Sequence, residues 1–296
     1  MNPNPSSDHF KGIFFMLLAS LFFAVNDALV KYAVKQLGTD NSLFNVVFVR
    51  AIFTSILILA TIFLFGKFDI KKLFYDKRSY VRGFFEVLAA FSFLTALMLM
   101  PMGDVYTLLN TMPLIITAAA AIILKEKVGI KRWSAVFIGF IGVLIVINPI
   151  DLQFGFIFIL PILAAVFLTM RDVVTKGYKN SSNSLEIIFI TSFLVTIFFG
   201  ITSIFFPVNI NFETMIYIII ASIALVLAYL FSVLTIVHAP LSLTSSTRYS
   251  VIVFGIILGY LFFNEIPSTH MILGAIIISL SGLFVIRREK ELGKID

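Results

Sequence analysis

The chain alternates long apolar runs with short polar interruptions. A helix needs about 20 apolar residues to cross the hydrocarbon core of a bilayer. Ten runs meet that length, near 12–33, 43–65, 80–100, 103–124, 132–148, 154–176, 184–206, 214–237, 241–263 and 268–286. Breaker residues punctuate the connections, as in Gly38-Thr39-Asp40-Asn41, Asn148-Pro149, Asn180-Ser181-Ser182-Asn183 and Pro207. Nothing between the runs is long enough for a soluble domain. The pattern predicts an all-α membrane protein with ten transmembrane helices.

The ten runs fall into two sets of five. Shifted by 139 positions, Pro101 falls on Pro240 and Glu126 on Glu265; shifted by 141, Asn45 to Val49 falls on Glu186 to Ile190; shifted by 145, Asp27 and Lys31 fall on Asp172 and Lys176. The last helices of each set, ending at Ile147 and Ile286, also agree in character. The division expected is a tail over 1–11, a first five-helix repeat over 12–149, a second over 150–287 and a tail over 288–296. Five is odd, so the second repeat starts on the opposite side of the membrane and the repeats are inverted. Inverted halves can exchange conformations, which lets a site between them open to each side in turn.

Composition agrees with a bilayer protein: 60% of residues are hydrophobic and 13% charged, against about 25% charged in soluble domains. The net charge of +6 does not point to nucleic acid, because the cations are confined to particular loops. Of the 22 lysines and arginines, 17 lie in segments on one side and two, Lys31 and Lys35, on the other, with Arg50, Arg171 and Arg248 inside spans. That bias places both termini in the cytoplasm. The chain has no cysteine and three histidines, His9, His238 and His270, without ligand spacing, so no metal site is expected. There is no phosphate-binding loop of the GxxxxGK[ST] type and no nucleophile, base and orienter set, so neither ATP drive within the chain, nor an enzyme, nor a cofactor is expected.

Two stretches carry a resemblance: LKEKVGIKRWSAVFIGFIGVLIVINP closing the first half and LGYLFFNEIPSTHMILGAIIISLSGLFVIRREK closing the second. With the two five-helix repeats, they resemble the EamA family of the drug/metabolite transporter superfamily. RGFFEVLAAFSFLTALMLMP and RYSVIVFGIILGYLFFNEIP are similar to the branch that includes S-adenosylmethionine uptake carriers. Other relatives of similar pattern export amino acids or import riboflavin. The resemblance implies a ten-helix bundle in the bacterial inner membrane, homodimeric in many members. Its central cavity would be lined mainly by the first, third, fourth, sixth, eighth and ninth helices and would accept a small-molecule substrate.

Ionisable groups inside spans are costly and mark sites or partners. Arg248 lies seven residues into the ninth run beside Ser245 and Tyr249; its guanidinium could take a substrate carboxylate or phosphate, or pair permanently with Asp27 or Glu86. Asp27, preceded by Asn26 and four residues before Lys31, could bind a cationic group or carry a proton, and Glu86, one turn after Arg82, is the second candidate proton carrier. Arg50, Arg82, Arg171 and Asp172 are expected in structural ion pairs, with Arg82 on Glu86 and Arg171 at the interface next to Asp172. Asn110, with Thr111 and Pro113 in the fourth run, marks a polar patch, because proline frees a backbone carbonyl one turn earlier. Pro161 allows the same reading in the sixth.

Overall fold

A computed structural model describes residues 5–38, 42–65, 77–122, 128–148, 155–175, 184–238 and 247–291. The described residues form α1 (Pro5–Leu37), α2 (Ser42–Phe65), α3 (Lys77–Leu99), α4 (Met102–Leu109), α5 (Met112–Ile122), α6 (Ile130–Ile147), a short 3-10 turn (Gly155–Phe158), α7 (Ile159–Thr175), α8 (Ser184–Phe205), α9 (Phe212–His238), α10 (Ser250–Phe263) and α11 (Thr269–Glu291), with no strand among them. Eight of these helices are long and apolar enough to cross a membrane. Their outer faces stay apolar: along α6, Phe137, Ile141 and Leu144 are all more than half exposed. Such a surface suits lipid, where a soluble domain would be polar.

The inversion appears in how equivalent helices meet. Asn45 of α2 donates to the Phe206 carbonyl at the far end of α8 at 2.7 Å, Phe48 packs where Gly200 leaves space, and Ser55 bonds Ser192 at 2.8 Å and Thr196 at 3.3 Å. As the position rises in α2 it falls in α8, so the second helices of the two repeats run antiparallel. Ser55 and Thr196 are themselves related by the 141-residue shift, which puts the local two-fold beside this hydroxyl cluster. The fifth helices behave alike: Gly142 meets Ile278, and Gly274 meets Val146. The other main contacts exchange under the same operation, α1 on α9 matching α7 on α3, and α3 on α8 matching α9 on α2.

Two of the ten expected spans are discontinuous. The fourth is divided into α4, of 8 residues, and α5, of 11. The ninth, expected over 241–263, is interrupted at Arg248-Tyr249, which form a turn between the helical Thr247 and α10, of 14 residues. The interruptions fall within one residue of repeat-equivalent places, at Asn110-Thr111 and Arg248-Tyr249. In the first, Pro113 stands in the opening turn of α5, where its missing N–H costs least; the Thr111 hydroxyl and amide both turn back to the Leu108 carbonyl, at 2.7 and 3.2 Å. Arg248 therefore sits in a turn before a helix and not in the body of one. Pro161 also lies in a first turn, that of α7, where its missing N–H breaks no bond within the helix.

Glycine sets the approach of the two broken helices. A Cβ at Gly255 would lie 2.2 Å from Tyr106 Cδ2, so α10 contacts α4 through the tyrosine ring. We expect Gly255→Ala to displace that ring and destabilise the protein by about 1–3 kcal/mol, the usual cost of overpacking, read as a lower melting temperature in detergent.

Candidate transport site

Two polar clusters lie beside the broken helices, a buried one made of first-half residues and a half-buried one that joins Arg171 and Asp172 of the second half to α3. In the first, the Tyr106 hydroxyl of α4 donates to Asp27 Oδ2 at 2.5 Å and Asn26 Nδ2 donates to Asp27 Oδ1 at 2.7 Å. Arg50 Nη1 of α2 donates to Asn26 Oδ1 at 3.4 Å and lies within Coulombic reach of Asp27. Asn26, Asp27, Arg50 and Tyr106 are all buried. With no water to solvate it, the carboxylate is held by two donors and a neighbouring cation, as a buried charge requires.

In the second half, Arg171 of α7 bridges two carboxylates. Its Nη1 donates to Glu86 Oε2 of α3 at 2.8 Å, and its Nε and Nη2 reach Asp172 Oδ1 at 2.9 and 2.8 Å. Arg82 donates to the Thr191 hydroxyl of α8. The positions mirror the first cluster while the chemistry does not. The 145-residue shift carries Asn26-Asp27 onto Arg171-Asp172, and the 141-residue shift carries Arg50 onto Thr191, so the cation has moved from the second helix of one repeat to the first helix of the other.

Arg248 completes the second cluster. It is within Coulombic reach of Asp172 and Arg171 and surrounded by protein, yet its side chain is exposed. It makes no hydrogen bond or ion pair with a described residue. Val251 N–H bonds to its carbonyl at 3.1 Å as the first turn of α10 begins, so Arg248 stands at the N-terminal, positive end of that helix. The cluster around Arg171 thus sets three guanidinium groups, of Arg82, Arg171 and Arg248, against the carboxylates of Glu86 and Asp172, and joins the two halves. Tyr229 of α9 lies within Coulombic reach of Arg50, Glu86, Arg82 and Arg171, between the two clusters.

The remaining expected residues find different places. Tyr249 enters the groove left by Gly282 of α11, and its buried hydroxyl has no hydrogen-bond partner among the described residues. Asn110 is buried and donates to the Tyr106 carbonyl at 2.8 Å, capping α4. Ser245 and Lys176 lie outside the described residues. Two expected pairings along single helices are replaced. Asp27 does not pair with Lys31, which binds Glu265 at 2.6 Å, and Glu86 is taken by Arg171 while Arg82 turns to Thr191. Arg171 makes the expected pair with Asp172 and also bridges to Glu86 on another helix. An i,i+4 pair is worth only a few tenths of a kcal/mol on an exposed helix, and inside a bundle a shorter cross-helix contact outweighs it. Sequence reasoning missed Tyr106 and Tyr229. The signal for Tyr106 was its place one turn before Asn110 in the proline-broken run; nothing comparable marked Tyr229.

Comparison with known proteins gives this arrangement its family. The profile of the EamA-like transporter family matches the chain twice, over residues 10–148 and 153–288. The chain belongs to that family. Across 96% of this EamA-like transporter and 95% of its relative, it is 27% identical to the S-adenosylmethionine uptake transporter of Rickettsia prowazekii (strain Madrid E). It is 26% identical to the riboflavin transporter of Vibrio cholerae serotype O1, covering 95% of this chain and 94% of that protein. A solved crystal structure shares its fold over 96% of this chain and 98% of its own, at a TM-score of 0.63 and 15% identity. The EamA-like chain is a multi-pass membrane transporter of a small molecule and not an enzyme.

Proposed function

We propose that this transporter takes up a small polar metabolite bearing a carboxylate, an amino acid or an amino-acid derivative such as S-adenosylmethionine, across the bacterial inner membrane. The observation that carries the reading is Arg248, exposed within the bundle at the start of a broken helix and free of any hydrogen bond or ion pair with a described residue. A forked guanidinium suits a carboxylate, and half-helix N-termini receive anionic substrate groups in carriers built from inverted repeats. Asp27 and Asn26 take the positive end of such a substrate, while Asn110 and Tyr249 shape the helix breaks between. Riboflavin offers no carboxylate for Arg248, so the free arginine favours the amino-acid reading.

Transport proceeds by alternating access, by exchange or with a proton carried at Asp27 or Glu86. Both termini lie in the cytoplasm, each repeat moves as a five-helix unit, and the protein assembles as a homodimer. The test is uptake of radiolabelled S-adenosylmethionine, amino acids and riboflavin by cells expressing the protein. Accumulation of S-adenosylmethionine or an amino acid is the expected result; uptake of riboflavin alone would overturn the assignment.

A further inference from the structure

At one end of the bundle three separate chain segments are tied by a single carboxylate. Glu265, just past the end of α10, accepts from Lys31 Nζ of α1 at 2.6 Å through Oε1 and from the Met102 N–H at the start of α4 at 2.7 Å through Oε2. Lys31 also donates to the Met100 carbonyl at 2.7 Å, on the other side of Pro101 in the turn between α3 and α4. Lys31 is 2% exposed and Glu265 16%. Phe263 lies under both Lys31 and Lys35, with the Nζ atoms 5.0 and 4.7 Å from its ring centroid. The carboxylate reaches this position because the chain folds back after α10. Asn264 adopts a left-handed conformation at φ 54°, the Glu265 N–H bonds to the Gly259 carbonyl at 3.1 Å, and a Cβ on Gly259 would stand 2.7 Å from Glu265 Oε2.

We infer that Lys31 and Glu265, with the Met102 amide and the Met100 carbonyl, form a gate that holds this end of the transport cavity closed and opens when the cavity faces that side. The elements it joins are the ones a carrier must separate there: α1 with the first cluster, and the near ends of the broken helices α4 and α10. A buried ion pair adds little net stability compared with apolar residues of the same volume, so a permanent tie has no need of one. Between parts that come apart the chemistry is favourable, because both charges are rehydrated on opening and the two states remain close in energy. The repeat carries the same residue types at Lys176 and Glu126, which lie outside the described residues.

This inference rests on alternating access but not on the identity of the substrate. The chain contains no cysteine, so a single introduced thiol reports without interference. Thr107 of α4 is fully buried, five residues past Met102, and its hydroxyl has no partner among the described residues, which makes Thr107→Cys a mild change. A membrane-impermeant maleimide is applied separately to each face of sealed vesicles. Adding Glu265→Gln, which keeps the shape but removes the charge, is expected to raise the labelling rate roughly tenfold from one face only, as loss of a charged hydrogen bond predicts. Gly259→Ala retains both charges and displaces the carboxylate, and should act in the same direction, so a folding defect peculiar to either variant does not decide the matter. Unchanged labelling in both variants, or an equal rise from both faces, would overturn the gate. A rise at one face in a protein that transports none of the tested substrates would support the gate and sink the substrate assignment.

Discussion

Arg248→Ala is expected to lower uptake of a carboxylate-bearing substrate by roughly ten- to a hundredfold, the equivalent of one strong charge-assisted contact, while changing the melting temperature in detergent little. The two parts of that expectation have one cause. Arg248 makes no hydrogen bond or ion pair with a described residue, and its side chain is exposed, so removing it strands no buried partner. The hydrogen bonds proposed for it are made with the substrate. Arg248→Lys should retain only part of the function, since an ammonium keeps the charge but loses the two-pronged geometry. Initial rates of radiolabelled uptake into proteoliposomes give the first quantity and thermal unfolding the second. Undiminished uptake in Arg248→Ala would remove the basis of the proposed site.

Asp27→Asn is expected to behave in the opposite way, with uptake and stability failing together. Asp27 is buried, accepts from Tyr106 and Asn26, and neighbours Arg50. Asparagine can still accept from Tyr106, but Arg50 is then a buried cation without a carboxylate beside it, a situation that typically costs 3–5 kcal/mol. Replacing Arg50 by methionine in the same chain removes the stranded charge and should recover much of the lost stability, though not transport. Melting temperatures of the two single variants and the double variant check this. If the effects of Asp27→Asn and Arg50→Met simply add, the two residues are not coupled and the first cluster is not the unit described above.

The contrast between these residues shows where sequence reasoning succeeded and where it stopped. Arg248 was identifiable as a candidate because an arginine in an apolar run is rare and because its repeat equivalent, Leu109, is neutral. Its surroundings were not legible. It was expected a third of the way along a helix, and it stands in a turn before α10. The break at Asn110 was announced by Pro113; the matching break at Tyr249 contains no proline and follows from the fold alone. Glu265 was legible as half of a repeated pair with Glu126, which suggested a scaffold role. Its contacts to Lys31 and Met102 were hidden by 234 and 163 positions of intervening chain.

The sequence by itself determined the spans, the five-plus-five duplication and the family. Each of these depends on one segment at a time: whether a run of side chains is favourable in lipid, and whether two runs resemble each other. Hydropathy is a transaction between a segment and its solvent, and it can be read without knowing the neighbours. Only the tertiary structure decided which charges pair. Asp27 and Lys31 share one helix and lie four residues apart, yet one bonds Tyr106 and the other Glu265. In a low-dielectric interior a charge is governed by whichever partner stands closest, and which partner that is depends on how ten helices are rotated and packed, information that no single segment carries.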